Sequence, residues 1–152
     1  GTTFFFTIPA KSPKRDKMSG KPARYSIDDS TEFRSVSVLI VEDDEYAKVY
    51  LSTILKDKFT EIYYAKTGIQ AIEMAKSHSD IKLILMDIKM PDMDGYEATQ
   101  RIREFNKDII IIAQTAYALA GDREKALEAG CNDYIAKPIK RKSLLSVLNK
   151  YI

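Results

Sequence analysis

From residue 35 to the end of the chain, apolar runs rich in β-branched residues alternate with stretches of helical spacing. No other feature limits the possible folds so tightly. "SVSVLIV" (35–41), "IKLILM" (81–86) and "DIIIIA" (108–113) have the composition of strands buried on both faces, and "EIYYA" (61–65) and "DYIA" (133–136) are shorter strands. Between and after them, "EYAKVYLSTILKDK", "TGIQAIEMAKS", "DGYEATQRIREF", "LAGDREKALEAG" and "KRKSLLSVLNKYI" carry apolar residues at helical spacing. Thr67 with Gln70 and Asp94 with Glu97 stand at capping distance, and Gly130 can end its helix in the left-handed conformation. The third helix is expected to bury Ala98, Ile102 and Phe105, and the last to bury Leu144, Leu145, Leu148 and Ile152. Strand then helix, repeated five times, predicts a doubly wound parallel sheet with helices on both faces, joined by right-handed crossovers.

In such a sheet, sites form outside the carboxyl ends of the strands. "VLIV" is followed by Glu42, Asp43 and Asp44, "LILM" by Asp87, "IIIIAQ" by Thr115, and "DYIA" by Lys137 and Pro138. One Asp after a strand is often only a helix cap, and Asp44 can be read that way as easily as a site residue. Four polar endings on one edge of an apolar sheet are harder to assign to capping. Asp87 near Glu42 and Asp43 makes a cluster of like charge, costly unless something offsets it. A hard divalent cation such as Mg²⁺ suits carboxylate oxygens and leaves places for a phosphoryl group. Lys137 can neutralise what remains, and Thr115 can donate a hydroxyl. A carboxylate nucleophile, a metal, a lysine and a threonine are the parts of phosphoryl transfer to an aspartate.

Together, "VLIVEDDE", "LILMDIKMPDMDGYE", "TAYALAGDREKALEAG" and "DYIAKPI" resemble the receiver domain of two-component response regulators, with the motifs in order across residues 35–152. The resemblance implies the flavodoxin-like strand order 2-1-3-4-5. It implies Asp87 as phosphoacceptor, Glu42 and Asp43 as the acidic pair for Mg²⁺, the Lys89 carbonyl as a further ligand, and Thr115 and Lys137 as contacts to phosphoryl oxygens. Pro138 should follow a cis peptide bond. Tyr134 matches an aromatic that swings inward when Thr115 moves; simple core filler is the lesser alternative. Lys89 and Tyr117 take the positions that tune phosphate lifetime, and Tyr117 is expected to shield the phosphate. Gln114 replaces the usual small or aliphatic residue before the threonine, with no role evident from sequence.

Other readings fare worse. The calcium-loop register of "DMDG" needs an acid or Asn at 90 and Glu at 101, where the chain has Met90 and Arg101. A haloacid-dehalogenase-type phosphatase wants an acid two residues after Asp87, where Lys89 stands. A receiver fold used only as a phosphorylation-independent binding module is the alternative from another class, and a stand-alone Asp-based phosphatase a third. His78 reads as a surface residue and Cys131 as a packing residue. With a formal net charge of +2 there is no argument for nucleic acid, and a lone cysteine fits a reducing, cytoplasmic setting. No apolar stretch approaches the ~20 residues of a membrane span.

Residues 1–10, "GTTFFFTIPA", alternate like a strand yet are followed by residues 11–34, a basic segment with two prolines and a glycine that reads as a flexible linker. "GTTFFFTIP" is similar to the last strand of the ATP-binding domain of sensor histidine kinases. By that resemblance the chain is the C-terminal receiver of a hybrid histidine kinase, with a kinase core upstream and a histidine phosphotransfer domain as partner. The linker would span roughly 25–30 Å on average. An orphaned apolar strand could also pair with a neighbouring molecule, giving a weak homo-oligomer.

Overall fold

A computed structural model of the protein describes Phe33 and residues 35–116 and 120–152. The proposed kinase strand (1–10), nearly all of the linker, and Tyr117 lie outside the described residues. Five strands and five helices alternate: β1 (Ser37–Val41), α1 (Glu45–Leu55), β2 (Ile62–Ala65), α2 (Gly68–Ser77), β3 (Ile81–Asp87), α3 (Gly95–Phe105), β4 (Ile110–Thr115), α4 (Ala120–Ala129), β5 (Asp133–Ala136) and α5 (Arg141–Leu148). The sheet is wholly parallel with order β2-β1-β3-β4-β5, as expected. All of β1 is buried and β3 exposes only Lys82, which is why these runs are continuously apolar rather than alternating.

The sheet separates two cores. Leu39, Val41, Ile84, Met86, Ile111 and Ala113 point to one, with Ala71 of α2, Ala98 and Ile102 of α3, and Ala126 of α4. Val38, Ile40, Leu83, Leu85, Ile112 and Ile135 point to the other, with Leu51 and Leu55 of α1 and Leu144, Leu145 and Leu148 of α5. Strand alternation thus gives every residue at the carboxyl edge a definite side.

The caps explain why the helices start where they do. Asp44 accepts a hydrogen bond from the Ala47 amide at 2.8 Å, so it caps α1. Thr67 accepts from Gln70 N at 3.2 Å, and the Gln70 side chain accepts from Lys66 N, one residue before the cap. Asp94 caps α3 through Glu97 N, and Glu97 itself turns outward to Arg101. Gly130 has φ +101° and ends α4 as expected.

Three expectations need correction. Phe105 is exposed, with the Lys76 ammonium over its ring, because it follows Ile102 by one turn too late to reach the sheet. The first helix stops at Leu55 rather than Lys58, and the released chain turns Phe59 inward against Phe33, with ring centroids 5.1 Å apart. Phe33 lies within the segment read as linker, yet it is buried in the α1/α5 core and bridges to Phe59.

Candidate functional site

Glu42 follows β1, Asp87 ends β3, and Lys137 follows β5. By strand alternation Glu42 lies on the side of Val38 and Ile40, and Asp87 on the side of Leu83 and Leu85, so both face the α1/α5 layer. Glu42 is 2% exposed and Asp87 4%, and the Lys137 ammonium donates to Glu42 Oε2 at 2.8 Å and to Asp87 Oδ2 at 2.9 Å. Main-chain donors fix the remaining oxygens: Lys89 N donates to Asp87 Oδ1 at 3.0 Å and Asp44 N to Glu42 Oε1 at 3.2 Å. The Lys137–Pro138 peptide is cis, as expected.

Burial is the largest influence on Glu42 and raises its pKa; the Lys137 hydrogen bond pulls the other way, and the Asp87 charge adds to the rise. Burial also works against the Lys137 ammonium, but its hydrogen bonds to Glu42 and Asp87 outweigh this and hold its pKa above the ordinary value. The cluster therefore keeps its lysine charged.

Asp43 is exposed, and one carboxylate oxygen from each of Glu42, Asp43 and Asp87 lies within 4.8 Å of the others. Three carboxylates face one ammonium, so the site retains an excess of negative charge. The donor set is oxygen only, with one ligand open to solvent. That suits a hard cation of the Mg²⁺ type and not a metal that prefers thiolate or imidazole.

Thr115 is buried at the end of β4, and its carbonyl accepts from Lys137 N at 2.7 Å. Tyr134 pairs in register with Ala113 while Thr115 pairs with Ala136, so the tyrosine sits one pleat below the threonine on the same face of the sheet. Tyr134 is half-buried and packs against the α2/α3/α4 core. Thus the structure brings Glu42, Asp43, Asp87 and Lys137 together, puts the exposed Lys89 beside Asp87, and leaves Asp44 as a cap. His78 is half-buried and stacks on Tyr63 at 4.3 Å, and Cys131 is buried near Thr99, both away from the site.

Sequence reasoning missed two features. A Cβ on Gly95 would stand 2.3 Å from the Asp87 carbonyl oxygen, so α3 can begin against the end of β3 only with glycine there. The "DG" after "MPDM" is the signal that could have found it. Gln114, beside Asp87 in the β3–β4 register, is fully buried and both polar atoms of its amide lack a hydrogen-bond partner.

Comparison with known proteins agrees with this geometry. The family model of the response regulator receiver domain matches residues 38–149. The histidine-protein kinase BarA of Escherichia coli is 39% identical over 119 residues, covering 77% of this chain and 13% of BarA. The receiver domain of the response regulator Ssk1 from Saccharomyces cerevisiae, solved with the histidine phosphotransfer protein Ypd1, superposes with a TM-score of 0.73 at 34% identity, covering 78% of this chain and 90% of that one. The receiver domain of the sensor kinase PA1611 from Pseudomonas aeruginosa, solved with magnesium in its active-site cleft, gives a TM-score of 0.68 at 38% identity, covering 77% of this chain and 97% of that one. This chain spans about an eighth of the BarA sequence, so the likeness is to a module of that protein. From residue 38 to residue 149, the chain belongs to the response regulator receiver domain family and is a module of two-component signalling.

Proposed function

We propose that this module is a phosphoacceptor in a phosphorelay, taking a phosphoryl group from a phosphohistidine onto Asp87 and passing it to a histidine phosphotransfer partner. The observation that carries the reading is the Lys137 ammonium bridging two nearly buried carboxylates, with a third, exposed carboxylate beside them. An Asp87 oxygen attacks phosphorus, the phosphorus–nitrogen bond of the donor breaks, and the leaving imidazole takes up a proton. Lys137 and the Thr115 hydroxyl bind phosphoryl oxygens. Main-chain hydrogen bonds hold the Asp87 and Glu42 side chains in place, so little reorganisation is needed. Glu42, Asp43, Asp87 and the Lys89 carbonyl would hold Mg²⁺, which when bound neutralises oxygen charge on the phosphoryl group.

Thr115 and Tyr134 share a face of the sheet, which supports a switch in which the threonine moves toward the phosphate and the tyrosine follows. Lys89 and Tyr117 are assigned to phosphate lifetime, which predicts slower loss of phosphate in the wild type than in Tyr117→Ala. Tyr46, Val49 and Tyr50 are exposed at i, i+3 and i+4 on α1, which starts next to Glu42 and Asp43, and so offer an apolar docking face beside the acceptor. The hybrid-kinase arrangement, with residues 1–10 closing a kinase domain and a linker up to about residue 34, is supported by the sequence resemblance and by BarA-type relatives. A cytoplasmic setting is proposed on the same grounds, and among the described residues no helix is long and apolar enough to cross a membrane.

The test is transfer from a phosphorylated histidine phosphotransfer protein in the presence of Mg²⁺. Label should leave the histidine protein and appear on the wild-type chain, and not on Asp87→Asn. Equal labelling of both chains, or of neither, contradicts the proposal.

A further inference from the structure

Gln114 is the last residue of β4 before Thr115, and among the described residues its amide holds the only fully buried side-chain polar atoms without a hydrogen-bond partner. An unpaired amide in an apolar layer is costly. Ile112 faces the α1/α5 core and Ala113 the opposite one, so Gln114 returns to the α1/α5 side, where Asp87 and Glu42 lie. Its register neighbours are Asp87 on β3 and Ile135 on β5.

The path of Lys137 gives this position a use. The lysine is rooted just beyond β5, two strands away from β3 in the order β3-β4-β5, a separation on the order of 10 Å. Its ammonium nevertheless reaches Asp87 Oδ2 and Glu42 Oε2. The aliphatic stem therefore crosses the end of β4, on the face of the sheet to which Gln114 belongs. An ammonium has three N–H donors, and the two contacts to carboxylates leave one over.

We infer that Gln114 is a positioning residue for the phosphoacceptor chemistry proposed above, its amide oxygen receiving the third N–H of Lys137 when the ammonium leaves Glu42 for a phosphoryl oxygen on Asp87. The inference rests on that phosphoacceptor reading. In strand order Glu42, just after β1, lies farther from β5 than Asp87 does. Releasing it draws the ammonium back toward β4, where the free carbonyl lies. The amide then takes the N–H that neither carboxylate had used, and orients the remaining N–H groups toward the phosphoryl group.

Gln114→Met keeps length and volume and removes only the amide. With a small phosphodonor and saturating Mg²⁺, this variant should accept phosphoryl roughly ten- to hundredfold more slowly, the worth of one hydrogen bond to a charged group. Its Mg²⁺ affinity should be unchanged and its thermal midpoint equal or higher. A residue that merely fills space would give the same stability gain with the wild-type rate, and that result overturns the inference. So does a rate loss matched by a loss of Mg²⁺ affinity. A second readout needs no stable variant at position 114. In the wild type, the Gln114 side-chain amide resonance should move when beryllofluoride and Mg²⁺ are added, and in Lys137→Met it should not. A resonance that stays still in the wild type, or moves equally in both, overturns the inference. Should the wild type accept no phosphoryl group under conditions where Asp87→Asn also accepts none, the phosphoacceptor reading itself fails, and the role of Gln114 with it.

Discussion

Each rim of the sheet holds a partly buried cation, and the two are used differently. At the amino rim, the Arg103 guanidinium donates to the carbonyls of Gly130 at 2.8 Å, Asn106 at 3.1 Å and Ile109 at 2.7 Å, and to Asn132 Oδ1 at 2.8 Å. Asn132 and Asn106 in turn accept from the amides of Ile111 and Ile109. Planar donors are matched to neutral acceptors, and the end of α3 is tied to the starts of β4 and β5. At the carboxyl rim, Lys137 meets two carboxylates, a third carboxylate stands unneutralised, and a buried amide waits unpaired. The first network is closed and holds the fold. The second is incomplete, and its excess charge and unused donors are what a cation and a phosphoryl group would complete. Satisfied polar groups give rigidity, and unsatisfied ones mark where chemistry is to happen.

Substitutions on the two rims should separate these roles. The largest loss of stability is expected for Arg103→Met, about 3 kcal/mol, since several acceptors lose a shared donor at once. Chemical denaturation measures it, and folded Arg103→Met should still accept phosphoryl. Gly95→Ala should cost about 2–3 kcal/mol, because the new methyl collides with the Asp87 backbone. Unlike Arg103→Met, it should also slow phosphoryl acceptance, because the displaced backbone carries the acceptor. Lys137→Met should lose about 1–3 kcal/mol without a divalent cation, less than a fully buried pair would, since the lysine is partly solvated. Mg²⁺ should restore more stability to this variant than it adds to the wild type, as read from thermal midpoints in a Mg²⁺ titration. Should Lys137→Met be as stable as the wild type with and without Mg²⁺, the ammonium is not what relieves the acid cluster.

The smallest effect concerns Cys131, at the closed rim. Burial raises its pKa, against the pull of Thr99 and Arg103. A thiol whose folded pKa lies above its unfolded value contributes stability that is present at neutral pH. That contribution fades as pH rises through the folded value, because the unfolded thiol ionises first. Between neutral pH and about pH 10, the denaturation midpoint should therefore fall more for the wild type than for Cys131→Ala.

The open rim was far more legible in sequence than the closed one. Glu42, Asp87 and Lys137 each follow an apolar run directly, so strand ends alone point to them, and parallel order does the rest. Arg103 carries no such mark: it looks like any basic residue in the last turn of a helix, and its partners lie in two separate loops that only the folded chain brings together. Phe33 escaped for a similar reason, being one of two aromatics in a polar segment, and its partner, Phe59, is turned inward only because the first helix ends early. Gln114 was visible as an odd residue, but its burial and missing partners are properties of packing. Phe105 was misplaced because helical spacing defines a face without saying how far along the helix the sheet extends.

Reduction of the acyl phosphate tests the central claim most directly. The wild-type chain, treated with a small phosphodonor and Mg²⁺ and then with borohydride, should yield a reduced side chain at position 87 alone by peptide mapping. Reduction at Asp43, Asp44 or elsewhere, or an unmodified residue 87 in a chain that has gained phosphate, would contradict the account.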